Sequence, residues 1–193
     1  LAIQLDPNYS TARQWYAQLL MITGPIAEAR EQVNKAIELE PYFWVIQNLN
    51  SWIYYFEEKY DKGLEACTFA RDLNPNSSDN IWLFVLHHAK LGEAEKAAME
   101  LQKLLRFFPG GEEYADELSE ACDTGGVNGI FRWLVEVNKN KPLPVEGLNG
   151  QTFYISWWYA MAGDRQQSIA WLERTLSEKF IPLHYFNLLG NNP

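Results

Sequence analysis

The side chains able to do chemistry are sparse and badly spaced for it. The chain has three histidines, of which His87 and His88 are adjacent and His184 lies far off. Neighbours on a helix point about 100° apart, so His87 and His88 cannot both aim at one metal ion. Cys67 and Cys122 are too few for a disulfide framework and lack metal-ligand spacing. They read as small side chains that behave as apolar ones. The run Thr124-Gly125-Gly126-Val127-Asn128-Gly129 is glycine-rich, but it has neither the lysine nor the preceding strand of a phosphate loop, so it reads as a turn. The carboxylate pairs Glu57-Glu58 and Glu112-Glu113 fall at helix ends, where solvated charge is ordinary. No Ser/His/Asp or Cys/His arrangement is legible from spacing, and convergence in space is left open. The residues therefore imply no metal, no cofactor and no enzymatic activity.

What must position these residues is a chain of 193 residues, 47% hydrophobic and 15% aromatic. That is enough for a sizeable core. A net charge of −9 repels phosphate backbones and anionic lipid, which disfavours direct nucleic-acid or membrane-surface contact. No apolar run reaches the roughly 20 residues of a membrane span, and no secretory signal opens the chain.

The organising feature is a period. Pro7, Pro41, Pro75 and Pro109 are 34 residues apart, and the first three close helix-like runs: Leu5-Asp6-Pro7-Asn8, Leu39-Glu40-Pro41 and Leu73-Asn74-Pro75-Asn76. Ala29, Gly63 and Ala97 recur in step, as do Ala36, Ala70 and Leu104, and Gly24, Glu58 and Gly92. Two antiparallel helices approach closely only where a small residue removes bulk, as at Ala17, Ser51, Ala29 and Gly63. Glycine suits the left-handed residue between paired helices. Proline after the second helix forbids its continuation. One such pair cannot cover its own apolar face, so pairs come in series.

On these residues the chain resembles a tetratricopeptide-repeat (TPR) protein. Residues 10–43 carry Tyr16, Ala17, Leu20, Gly24, Ala29, Val33, Ala36 and Pro41 at the family's positions. Residues 44–77 carry Ser51, Tyr54, Tyr60, Gly63, Cys67, Ala70 and Pro75. Residues 78–111 carry Ile81, Phe84, Val85, Gly92, Ala97, Leu101 and Pro109. Asn50, at an apolar site, and His88, at an aromatic one, depart from the pattern. The resemblance implies an all-α fold, a right-handed α-α superhelix of about five helix pairs forming a single array over 1–193. Residues 1–9 read as the tail of a preceding unit, in a chain cut from something longer. Residues 112–148 read as a degenerate unit with helices over 112–122 and 129–139. Residues 139–151 read as an irregular connector, and 149–193 as a closing pair, with helices over 152–162 and 165–179, and a tail.

The closing segment narrows the likeness. Ile155-Ser156-Trp157-Trp158-Tyr159-Ala160-Met161-Ala162-Gly163-Asp164, then Ala170-Trp171-Leu172-Glu173 and a tail ending at Pro193, resembles the C-terminal TPR region of bacterial signalling proteins that carry winged-helix or adenylyl-cyclase domains. It implies a sensory or regulatory part of a transcriptional regulator. Unpaired cysteines suit the cytoplasm, and the likeness to membrane-spanning regulators admits the periplasm.

In TPR arrays the first helix of each pair lines the concave surface. The resemblance places Gln14, Gln18 and Met21, then Asn48, Trp52 and Tyr55, then Trp82, Leu86 and Lys90, then Phe153, Trp157 and Met161 on that groove. Lys90 is the one cation in the set, which argues against clamping a C-terminal carboxylate. An aromatic groove accepts an apolar helix or extended peptide, or another domain of the same polypeptide. The alternative is that the aromatics pack internally, or that the tail from Phe180 fills the groove. A free-standing scaffold binding an apolar peptide is the second functional reading. The apolar end at 1–5 offers a route to a homodimer.

Overall fold

A computed structural model of the chain describes residues 2–107, 109–140, 143 and 152–178, which form helices joined by short turns, with no strand among them. In chain order the helices are α1 (Ala2–Leu5), α2 (Ser10–Thr23), α3 (Ile26–Leu39), α4 (Trp44–Phe56), α5 (Tyr60–Leu73), α6 (Ser78–Lys90) and α7 (Ala94–Leu105). A 3₁₀ turn (Gly111–Tyr114) precedes α8 (Ala115–Asn140), α9 (Thr152–Met161) and α10 (Arg165–Glu178). The all-α class and the paired helices follow the sequence period. No helix among the described residues is long and apolar enough to cross a membrane. Most of the connector at 139–151, and the tail from 179 on, lie outside the described residues.

The chain divides into two compact units, one holding Leu1–His87 and the other His88–Pro182. In the first, α2 pairs with α3 and α4 with α5. Each pair turns on a residue of positive φ: Gly24 (φ 116°) and Glu58 (φ 59°). After Glu58 the N–H of Lys59 donates to Tyr54 O at 2.9 Å, the six-residue closure of a left-handed helix end. α3 and α5 stop where the N–H groups of Glu40 and Asn74 make their last bonds, to Ala36 O and Ala70 O, just before Pro41 and Pro75.

The core of this unit joins Ala17, Leu20 and Met21 of α2, Ala29, Val33 and Ala36 of α3, and Ile46, Leu49 and Ile53 of α4. Small residues at the crossings let backbones approach, and branched ones fill the space between. Asn50, the departure from the apolar pattern, accepts from Arg30 Nη1. Arg30 also grips both carboxylate oxygens of Glu57 at 3.0 and 3.2 Å, and its guanidinium lies 3.9 Å over the Tyr54 ring. Burial works against the charge on Glu57, but hydrogen bonds from Arg30 and Lys59 outweigh it and hold the carboxyl below its ordinary range.

In the second unit, α8 breaks at Gly126 (φ 58°, ψ −142°) into two arms. The arms fold back on each other so closely that a β-carbon at residue 129 would lie 2.0 Å from Ala121 O. Trp133 Nε1 donates to Glu117 at 3.3 Å, and the Tyr114 and Trp133 rings meet at 6.1 Å. The helix expected from residue 112 begins instead as the 3₁₀ turn. The closing pair matches expectation, with its turn at Gly163 (φ 79°) and Asp164 N–H donating to Tyr159 O at 2.9 Å. His88, the departure at an aromatic site, hydrogen-bonds Glu93 Oε2 through Nδ1 at 2.6 Å.

Candidate functional site

Within Leu1–His87 several buried polar side chains gather at the crossing of α4, α5 and α6. By the 34-residue step, Ser51 stands where α2 has Ala17 and α6 has Val85, and His87 stands where α2 has Leu19 and α4 has Ile53. Gly63 stands in the row of Ala29 and Ala97. The exchanges are coupled: an imidazole enters this crossing only because the facing helix has no β-carbon at residue 63.

Helical spacing gathers the group. Asn48 and Ser51 share one face of α4, Gly63 and Cys67 one face of α5, and Asn80 and His87 one face of α6. Ser51 Oγ lies 2.9 Å from His87 Nε2, 2.9 Å from Cys67 Sγ and 3.1 Å from Gly63 O. Ser51 Oγ–H is placed to donate to Gly63 O, and the direction of its contacts with His87 Nε2 and Cys67 Sγ follows the imidazole tautomer. Below this, Asn80 Nδ2 donates to Asn48 Oδ1 at 3.0 Å and to Cys67 O at 2.9 Å. Ser77 caps α6, its Oγ accepting from Asn80 N–H at 3.3 Å. The Tyr55 and Tyr60 rings stand edge-on to the imidazole at 5.7 and 6.1 Å. Burial, and secondarily Tyr60, pushes the Tyr55 phenol well above its ordinary pKa; burial, and then the charge of Glu58, pushes Tyr60 upward.

A serine hydroxyl this close to an imidazole has the spacing of a nucleophile and its base. Here, however, Ser51, Cys67 and His87 are completely buried. Spacing along the chain did not reveal this convergence. The signal was present as one histidine in an apolar row matched by one glycine in the row it faces. Among the described residues no three His, Cys, Asp or Glu side chains are grouped to hold a metal ion.

The expected groove positions fall mostly inside. In the first unit Gln14, Met21, Asn48, Tyr55, Trp82 and Leu86 are buried, while Gln18 and Trp52 are half-buried. In the second, Phe153 and Trp157 are buried, Met161 is half-buried and Lys90 is exposed. The physical reason is legible in α6 and α9. Every residue from 80 to 87 and from 152 to 159 is buried, and a helix apolar around its circumference belongs to an interior. Trp52 is the accessible aromatic of the set, its ring 6.0 Å from Tyr55 and 6.2 Å from Phe56. No model of a known protein family matches the chain, and no curated protein matches it.

Proposed function

We propose that the chain is a non-catalytic helical-repeat module of the tetratricopeptide type, a right-handed superhelix that holds a protein, a peptide or another domain of its own polypeptide. The observation that carries this reading is a crossing built twice within Leu1–His87. Ala17 and Ala29 in the first pair, and Ser51 and Gly63 in the second, are buried small residues one period apart. Repetition of one helix pair lengthens a surface instead of deepening a pocket, and extended surfaces serve recognition. The Ser51–His87 pair supports the same reading, since both side chains are completely buried and closed to a substrate. The likeness of the closing segment to bacterial regulators supports a sensory or regulatory role within a larger signalling protein. A free-standing scaffold is the second reading, favoured by Trp52, which offers an accessible indole beside Phe56 for an apolar peptide.

The test is to pan the immobilised full chain against a library of amphipathic helices and apolar peptides. Enriched peptides that lose binding to the Trp52→Ala variant support the module. Absence of any enrichment overturns it. An effector domain in the same reading frame selects the regulatory version, and its absence selects the scaffold.

A further inference from the structure

One exposed aromatic pair departs from the repeat within Leu1–His87. Tyr42, in the turn between α3 and α4, is 75% exposed, and Phe69 of α5 is 37% exposed. Their ring centroids lie 6.1 Å apart, with the planes tilted by 58°. By the 34-residue step Tyr42 stands in a row with Asn8 and Asn76, and Phe69 in a row with Lys35 and Lys103. Two polar positions of the repeat have thus become aromatic together, at places that meet in space and face water.

The charges around the pair follow from the same exchange. On α3, Glu31 and Glu38 stand four residues before and three after Lys35, so the three share one helix face. On α5, Glu65 and Asp72 keep that spacing, but Phe69 has taken the lysine's place. Both carboxylates are exposed, and neither makes an ion pair or a hydrogen bond among the described residues. Glu40 adds a third exposed carboxylate two residues before Tyr42. Other aromatic faces of the unit are covered from within: Arg30 lies 3.9 Å over Tyr54, and Arg71 3.8 Å over Phe84. No lysine or arginine among the described residues lies over Tyr42 or Phe69.

We propose that the Tyr42–Phe69 pair is a docking surface for a basic peptide segment of a partner protein, one arginine or lysine of which seats on the rings. Electrostatics selects this occupant. A ring face attracts a cation placed within about 6 Å of its centroid. The carboxylates on Phe69's helix face add to that attraction and repel an anionic ligand. An apolar segment would desolvate them and give nothing in return, whereas a cation offsets that cost. The net charge of −9 draws a basic segment in from a distance. This surface does not include Trp52, and it takes a partner of different chemistry.

The probe is a ten-residue peptide of alternating arginine and glycine, titrated calorimetrically into the full chain at physiological salt. Saturable one-to-one binding is expected, and a citrulline counterpart, of the same shape without the charge, does not bind. Tyr42→Ala and Phe69→Ala each weaken binding about two- to fivefold, and the double variant about tenfold. Phe69→Lys restores the repeat's lysine between Glu65 and Asp72 and abolishes binding with the melting midpoint unchanged. Glu65→Gln with Asp72→Asn weakens binding about two- to fivefold. Glu112→Gln with Glu113→Gln, the same charge change in the other unit, leaves binding unaltered. Absence of saturable binding, equal losses from the two charge pairs, or binding that survives Phe69→Lys overturns the proposal. A citrulline peptide that binds equally well assigns the rings to an uncharged segment and overturns it too. A concentration-dependent dimer that Phe69→Lys dissolves assigns the face to a second copy, with the same consequence. Peptide panning reads Trp52 and this titration reads Tyr42 and Phe69, so failure of one reading is told apart from failure of the other.

Discussion

Gly63 and His87 share one space: a β-carbon at residue 63 would lie 2.0 Å from His87 Cε1 and 2.4 Å from Nε2. No real contact of that kind exists, so either the imidazole or the helix must move. Because Ser51, Cys67 and the two tyrosine rings surround the imidazole, movement breaks the network. Gly63→Ala therefore destabilises the chain by about 1–3 kcal/mol, the usual cost of overpacking. In a double-mutant cycle with His87→Ala, the two effects are strongly non-additive. Urea melts of the four proteins check this, and additive losses sink the clash account.

Glu58 is the one non-glycine residue with positive φ among the described residues, and it occupies the turn position that Gly24 and Gly92 hold in neighbouring pairs. An L-residue pays about 1–2 kcal/mol in that conformation. Burial, and after it the charge of Glu58, pushes the Tyr60 phenol upward. Glu58→Gly is expected to stabilise the chain by about 1 kcal/mol, since flexibility of the unfolded chain offsets part of the relief. Calorimetry reads this as a rise of about 2–4 °C. A fall in midpoint refutes the strain argument.

Arg30 and Glu57 tie α3 to the end of α4, with 16% and 14% of their side chains exposed. Arg30→Met keeps the stem over Tyr54 but removes the charged hydrogen bonds, at a cost of about 1.5–3 kcal/mol. The pH dependence has a definite sign. Glu57's folded pKa lies below the unfolded value of about 4.3, so in the window beneath 4.3 the unfolded state binds more protons and stability rises with pH. Its contribution is complete above that value and is lost as pH falls through the lowered one. Glu57→Gln should lower stability at pH 7 and flatten the acid side of the profile. An unchanged acid slope in a pH series of urea melts contradicts this.

Trp82 and Trp52 separate core from surface. Trp82 is buried in α6, and Trp82→Ala is expected to cost about 3–5 kcal/mol as a large-to-small core change. Trp52 is half-buried and its truncation costs less. Alanine substitution at the two positions therefore reads different things: Trp82→Ala reports on folding, and Trp52→Ala on recognition. Equal losses for the two variants would contradict the burial difference.

The fold was legible in the sequence to the extent that local rules decide it. Proline after Leu39 and Leu73, glycine at residues 24, 92 and 163, and small residues at the crossings each act within a turn or two. Helix ends at α2 to α5, α9 and α10 follow from them. Even the strained turn at Glu58 was visible as the odd member of a glycine row. The buried seam was harder, because spacing assigns Ser51, Gly63 and His87 to rows but does not say which rows face each other across helices. The groove positions misled for a related reason. Their angular place on each first helix was carried over from a resemblance, whereas the run Ile81-Trp82-Leu83-Phe84-Val85-Leu86 has no polar face to turn outward. Composition around the helix, not position within the repeat, decided burial there.

The Ser51–His87 bond joins residues 36 positions apart, whereas the turn bonds at Glu58 and Gly163 close within a few. Local closures let each helix pair form early and independently, since little loop entropy is lost. A chain held only by such closures would melt in steps, one pair at a time. The buried imidazole reaches from α6 into the pair before it and makes the two fail together. Its contribution is to cooperativity: the sharpness of the unfolding transition in Leu1–His87, more than its midpoint, records whether that one hydrogen bond is made.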